Sequence, residues 1–485
     1  VDTIPYINWL IMAASFVVLI WLGWKSSKTV HANNDDESGF LVAGRSLGPF
    51  VGAATIVATG YSGWGFMGSP GVAYQYGAIE LLGNFMFAPA MVIAVLFFAR
   101  FLARRAETLG SNTIPEYAAQ LHGTGGMARL VHGVAALVTI VLLLVFLTSQ
   151  IKAVGILAAG WLDLPQAWGA TLMIAIIILY TMLGGLTAVA WTDTLMLMGM
   201  LIAAVIICVQ VFSDIPLGQM IADLKAIDPA LVNPATSDPY GPGRGSVFLV
   251  LPYALMFSAV LPYMAVRFLA FRPDVKFSVV AMWTAPFACI LSLIPIVGLY
   301  MRIKMPELAE ADQAMPVYLE TFLHPVLGGF ITLCILFAMQ STANSLLHTV
   351  SSAASHDLRL ALFPTHENPR TVLLINRVAV AAFGLFGLGM MLYTPPFFLS
   401  WLGILGTGTL LAALVGPVFV SAFWRGNAYG ALAAMVGGFC TSGYLLIWTD
   451  AGWVVGPLVG CAISTALYVG VSLATVGLAA RHANA

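Results

Sequence analysis

Apolar residues along this chain run in blocks of about twenty, separated by short polar turns. A bilayer core of about 30 Å takes roughly 20 apolar residues per helix. On that measure the sequence predicts thirteen spans, near 6–24, 48–74, 79–100, 127–160, 166–187, 190–213, 246–270, 277–301, 322–355, 371–393, 397–423, 427–448 and 453–478. The fourth and ninth are long enough to tilt or to project beyond the bilayer. The first block lacks a positively charged leader and a small-residue cleavage site, so it reads as a span and not as a signal peptide.

Composition agrees. The 485 residues are 60% apolar and 8% charged, with a mean hydropathy of +0.93. Ordinary soluble domains carry about 25% charge, and so few charges could not cover a soluble surface. The sequence describes a polytopic membrane protein. A net charge of -1 and no basic run give no sign of a nucleic-acid partner. Five scattered cysteines without C-x-x-C spacing read as buried thiols.

Thirteen spans put the termini on opposite sides. With the N-terminus outside, fifteen lysines and arginines fall in inner loops, Arg267, Arg272 and Lys276 among them, against four outside. The expected outer loops are 214–245, rich in Asp, Pro and Gly, and 302–320, with a short amphipathic helix around PELAEADQAM. With the sequence ending soon after the last span, no soluble signalling domain is expected.

One stretch breaks the apolar pattern. TIVATGYSGWGFMGSPG, residues 55–71, places five glycines and a proline inside an expected span. Its GWGFMG matches a dinucleotide fingerprint only formally, because that motif needs a strand, a turn and a helix. Close helix packing explains the glycines but not Thr59, Tyr61, Ser62 and Pro70. A discontinuous helix explains both, since irregular backbone inside a membrane is tolerated where it lines a cavity or is buried in protein. That reading demands a second break, and MFSAVLPYMAVRF supplies one with Ser258 and Pro262 in mid-span.

AGRSLGPF (43–50), ATGYSGW (58–64), MGSPG (67–71), YTMLGGLTAVAWTDT (180–194), LPYMAVRF (261–268), QSTANSLL (340–347) and WRGNAYGALAAMVGG (424–438) together resemble the solute:sodium symporter family. The resemblance covers nearly the whole chain. It implies an all-α, leucine-transporter-type core of two inverted five-helix repeats, 44–213 and 246–423. An extra helix at 6–24 precedes them, the loop 214–245 joins them, and two helices at 427–478 follow. IDPALVNP, LPYMAVR and TPPFFLSWL are similar to the sodium/pantothenate branch. The sodium/proline symporters share GRSLGPF, SGW and AWTDT, but have an acid where this chain has Gly60.

The resemblance implies a sodium site, residue by residue, at Ala58, Tyr61, Ala338, Ser341 and Thr342. The last three lie at i, i+3 and i+4 on one helical face. In isolation, Ser and Thr in a helix bond back to their own backbone; the facing break is what favours a cation. Ser345 is a further oxygen nearby. Asp193 has two readings, a helix cap or a station on the inner sodium path. Expected substrate contacts are Tyr61, Ser62, Gly63, Trp64, Gln150, Lys152 and Ser258, with Tyr263 and Tyr76 behind them. Lys152 either snorkels to the interface or meets a substrate carboxylate or replaces a second cation. His348 and His356 read as inner-end residues.

The expected activity is sodium-coupled import of a small organic acid, pantothenate first and other monocarboxylates next, by alternating access. It needs no enzyme chemistry and no cofactor beyond the coupling ion; the bilayer, sodium and the solute are the partners. A bacterial inner membrane is the implied location. The alternatives are a sodium- or proton-coupled amino-acid carrier of the proline type, a non-transporting solute-sensing subunit, and a channel.

Overall fold

The structure, a computed structural model, describes residues 4–32, 37–363, 368–393 and 399–477. The TPPFF run at 394–398, which contributed to the branch resemblance, lies outside them. Among the described residues every regular element is a helix, and extended backbone pairs only in two isolated bridges.

The chain opens with α1 (Ile4–Ala32) and α2 (Glu37–Val42), then the interrupted pair α3 (Pro49–Gly63) and α4 (Ser69–Tyr76). It continues through α5 (Ile79–Leu109), α6 (Ile114–Leu121), α7 (Gly126–Leu162), α8 (Gln166–Asp214) and α9 (Leu217–Ile227). A second interrupted pair follows, α10 (Val250–Val260) and α11 (Pro262–Leu269). After it come α12 (Phe277–Lys304), α13 (Ala314–Thr321), α14 (Pro325–Leu362), α15 (Pro369–Tyr393), α16 (Ser400–Phe423), α17 (Ala428–Trp448) and α18 (Val455–Ala474).

Ten described helices are long and apolar enough to cross a membrane, eleven if α10 and α11 form one bent span. Thirteen separate spans are not resolved. The expected spans at 166–187 and 190–213 run on as α8, whose 49 residues would measure about 70 Å at 1.5 Å each. A single departure divides it: Gly185 sits at φ 52, ψ -142. A Cβ there would lie 2.4 Å from the Phe40 carbonyl oxygen, so only glycine fits. The expected span 48–74 is α3, one wide turn at Trp64–Gly68, and α4.

Loop 302–320 holds its helix later than expected. Met305 precedes Pro306 and takes a non-helical conformation, so the helix α13 begins at Ala314.

Burial sorts centre from periphery. The most apolar window of α14 is 83% buried, whereas that of α1 is 22% buried and faces outward. α3 is packed between α8, α12 and α14, and every residue from Gly52 to Gly63 is buried. Gly52 makes this closeness possible, because a Cβ would strike the Phe271 ring. The broken helix therefore occupies the middle of the molecule. Two ends are distinguishable. One carries the 214–245 loop and is called the loop end; the other gathers Arg100, Arg104, Arg272 and Lys276 and is called the basic end.

Candidate functional site

The break in α3 falls at Ser62, with φ 35 and ψ -175. A serine held there is strained, and neighbouring groups compensate. The Trp64 N–H donates to Ser62 Oγ at 3.0 Å, and the Gly63 N–H donates to Gln150 Oε1 on α7 at 3.1 Å. Gly63 has to be glycine for this approach, since a Cβ would sit 2.8 Å from that oxygen.

On the other flank, α14 brings hydroxyls to carbonyls of the interrupted helix. Ser341 Oγ lies 3.0 Å from the Ala58 carbonyl oxygen and 2.9 Å from that of Ala338. Thr342 Oγ1 donates to the Thr59 carbonyl at 2.9 Å, across helices and not back to its own. One hydroxyl proton on Ser341 faces two acceptors, so neutral oxygen lone pairs converge at this buried point. Such a donor set suits a hard cation. Ala58, Ala338 and Ser341 are thus brought together, and Thr342 meets the next carbonyl along. The Tyr61 carbonyl accepts from the Trp64 N–H.

Next to this cradle lies a fully buried ion pair. Arg267 on α11 and Asp193 on α8 meet at 3.1 Å with both side chains 0% exposed. Arg267 Nε donates to Thr55 Oγ1 at 2.8 Å, and Nη2 donates to Thr59 Oγ1 and Ser345 Oγ, each at 2.5 Å. Asp193 also accepts from Thr55 at 2.5 Å and from Asn344 at 3.3 Å. Cradle and ion pair share Thr59, whose carbonyl faces Thr342 and whose hydroxyl faces Arg267. Ser345 Oγ extends the link by donating to the Ser341 carbonyl at 2.7 Å.

Two expectations are corrected here. Asp193 does not cap a helix: it lies inside α8, eight residues past Gly185, and its carboxylate is bonded by side chains of three other helices. Arg267 is not an inner-loop cation, for it sits on α11 with no exposure.

Beside the break, toward the loop end, is a cavity of about 40 Å³. Gly60, Ser62 and Trp64 line one side, and Phe87, Phe146, Tyr253 and Phe257 supply aromatic walls. Thr407 adds a hydroxyl, and among the described residues no charged side chain lines it. Tyr240 and Val454 cover it from two loops tied together by the Val454 N–H on the Tyr240 carbonyl at 3.1 Å. The Tyr240 hydroxyl in turn donates to the buried Glu80, which also accepts from Ser69 on α4.

Other expected contacts fall elsewhere. The Tyr61 hydroxyl pairs with Ser292 at 2.6 Å on α12, and Ser258 donates back to Ala254 in its own helix at 3.0 Å. Lys152 is half-buried on α7 within electrostatic reach of Asp312 and Glu310, and it does not line the cavity. Tyr263 is buried against Phe146 and Phe257. Tyr76 is partly buried at the end of α4.

At the basic end, His348 Nε2 contacts the Phe40 carbonyl at 3.0 Å, while His356 bridges Glu37 at 2.9 Å and Glu116 at 3.1 Å. Burial alone would push the Glu116 carboxyl up. The His356 partner and the Asn112 N–H outweigh it and hold that carboxyl below its usual range.

Residues 40–438 match the Sodium:solute symporter family. The chain belongs to that family. Its relatives include the osmoregulated proline transporter of Bacillus subtilis, 26% identical over 90% of this chain and 87% of that one. The sodium/pantothenate symporter of Escherichia coli is 28% identical over 82% of each. Among solved structures, a Na+-coupled sialic acid symporter in a substrate-bound outward-open state superimposes with a TM-score of 0.78 at 16% identity. That match covers 97% of this chain and 98% of the other. It shows the fold, which is of the leucine-transporter type. The family and these relatives are transporters, not enzymes, and this member is an integral membrane protein.

What sequence reasoning missed in this symporter-family chain is the ion pair and the aromatic walls. Arg267 could have been found as the cation five residues past Pro262 on the same helix, with Asp193 as an opposite charge inside another span. Phe87, Phe146 and Phe257 carry no such signal, because a phenylalanine facing a cavity and one facing lipid read alike.

Proposed function

We propose that this protein is a sodium-coupled symporter importing a small carboxylate-bearing solute by alternating access. The observation that carries the reading is the meeting of Ser341 and Thr342 with the freed carbonyls of Ala58 and Thr59 beside a break. Sodium at that point, held by Ala58, Tyr61, Ala338, Ser341 and Thr342, would clamp α3 to α14 and shape the cavity one turn away. Each ligand then favours the same closed arrangement, so their binding is mutually cooperative.

The solute would bind between Ser62, Trp64 and the aromatic walls, with the cavity widening from its 40 Å³ to admit it. With no charged side chain there, a carboxylate would be met by the resumed half-helix beyond Ser62, where Gln150 now occupies the Gly63 amide. Pantothenate, a shorter monocarboxylate and proline share that carboxylate, and the relatives support a proline-type carrier equally well. In this reading Asp193, joined to the cradle through Thr59, stands on the inner sodium path. The two five-helix halves are 44–213 and 246–423. The basic end faces the cytoplasm of a bacterial inner membrane, with the N-terminus outside.

The test is uptake of labelled pantothenate and labelled proline into proteoliposomes, with and without an inward sodium gradient at matched voltage. Sodium-driven accumulation of one solute, lost in Thr342→Ala, is expected. Accumulation driven by a proton gradient alone would overturn sodium coupling.

A further inference from the structure

α5 ends in an arginine-rich helical segment, Arg100–Leu109, flanked by two adjoining cavities at the basic end. The first, about 460 Å³, is lined by Arg45, Arg100, Arg104, Arg272 and Lys276 against only Glu107 and Asp274. The second, about 680 Å³, shares Arg100 and Arg104 and adds Arg105 and Arg425, with no acid among the described residues. Of the other described cations expected on this side, Lys25, Lys28, Arg129, Arg267, Arg359, Arg370 and Arg377 line neither. Seven of the expected cations are thus gathered at one place.

Only some of these cations are used by the fold. Arg45 donates to the Leu269 and Ser111 carbonyls, and Arg425 donates to that of Leu121. Arg272 has Asp274 at 3.5 Å. Among the described residues, Arg100, Arg104, Arg105 and Lys276 form no ion pair. Arg100, Arg104 and Lys276 are exposed.

The same cavities have an apolar edge. Leu96 lines both and Phe97 lines the second; they are 39% and 77% exposed and sit one turn before Arg100 on the apolar part of a membrane-crossing helix. Charge and grease thus meet at the level where a bilayer changes from hydrocarbon to headgroups.

We infer that these two cavities form a binding site for an anionic phospholipid of the adjoining leaflet. Its phosphate is held by Arg100, Arg104 and Lys276, and its acyl chains lie along Leu96 and Phe97. A free phosphate would use the cations but gains nothing from the exposed Leu96 and Phe97, which is why a lipid is the occupant. The inference does not depend on which solute the protein carries.

The experiment uses the purified full-length chain in mild detergent, titrated separately with phosphatidylglycerol, phosphatidylcholine and inorganic phosphate. Retained lipid is counted by native mass spectrometry, and the thermal unfolding midpoint is followed alongside. Phosphatidylglycerol should be retained and should raise the midpoint; the other two should do neither. At about fivefold per cation, Arg100→Gln with Arg104→Gln should weaken retention about 25-fold, and Lys276→Gln about fivefold. Arg129→Gln, on the same side but away from the cavities, should leave it unchanged. Unaltered retention in the arginine and lysine variants would overturn the site, as would equal retention of phosphatidylcholine. An equal stabilisation by inorganic phosphate would overturn the lipid as its occupant.

Discussion

The two interrupted helices reach similar ends by different chemistry. α10 and α11 are separated by Leu261 at φ -62, ψ 125, and Pro262 opens the second piece after a 57° bend. Proline has no N–H, so the resumed helix starts with one fewer donor to satisfy. α3 breaks at Ser62 without a proline. Its resumed half keeps the first amides after the break, and those of Trp64 and Gly63 are met by Ser62 itself and by Gln150 from another helix. One break is written into covalent geometry; the other depends on its neighbours. A break that depends on neighbours is the one that a bound ion or solute can rearrange, and the cradle of Ser341 and Thr342 lies beside that one.

The two breaks are joined by Arg267, five residues past Pro262, which returns to Thr55 and Thr59 of α3. Removing it strands a fully buried carboxylate. Arg267→Gln should lower stability by about 3–5 kcal/mol, the cost of leaving one member of a buried pair, in denaturant titration from mixed micelles. Adding Asp193→Asn should recover much of that loss, because no uncompensated charge then remains. If the double variant is less stable than Arg267→Gln alone, the pair does not couple the breaks in this way.

A smaller effect is expected at the neighbour-dependent break. Gln150→Leu keeps the volume on α7 but removes the acceptor of the Gly63 N–H. An unsatisfied buried donor costs about 1–3 kcal/mol, read by the same titration. A sodium-dependent rise in the unfolding midpoint should shrink along with it, since the cradle lies on the other flank of the same residues. Unchanged stability would mean that the Gly63 amide finds a partner of its own.

Much of this arrangement is legible in the sequence. Residues 55–71 announce a break because glycine, proline and small polar groups interrupt an apolar run. Ser341 and Thr342 announce a polar face because their spacing from Ala338 is helical. Arg267 is hidden by its company: Arg272 and Lys276 follow within ten residues, and a charge near the end of an apolar block reads as a loop charge. The division of α8 is legible too, because the expected spans 166–187 and 190–213 part within a few residues of Gly185, where the backbone leaves the helix. Most of the cavity walls are hidden as well. Phe87 and Phe257 meet edge to face at 5.7 Å across helices distant in sequence, and nothing local in either segment specifies that meeting.

A loss of similar size should come from the proline itself. If Pro262 only locks a bend that packing already holds, Pro262→Ala leaves the geometry in place. The new N–H falls at the first position of α11, where no intrahelical acceptor is available in any helix. The loss is then the added freedom of the unfolded chain, about 0.4–1 kcal/mol, plus the cost of that buried N–H, about 1–3 kcal/mol where it meets no acceptor. That is close to the loss for Gln150→Leu, which also leaves one buried N–H unpaired. A loss well above that sum would mean that the proline enforces the backbone geometry, and would reverse the comparison. It would make the second break the one held by a single residue, and Arg267 a consequence of the bend and not a tie across it.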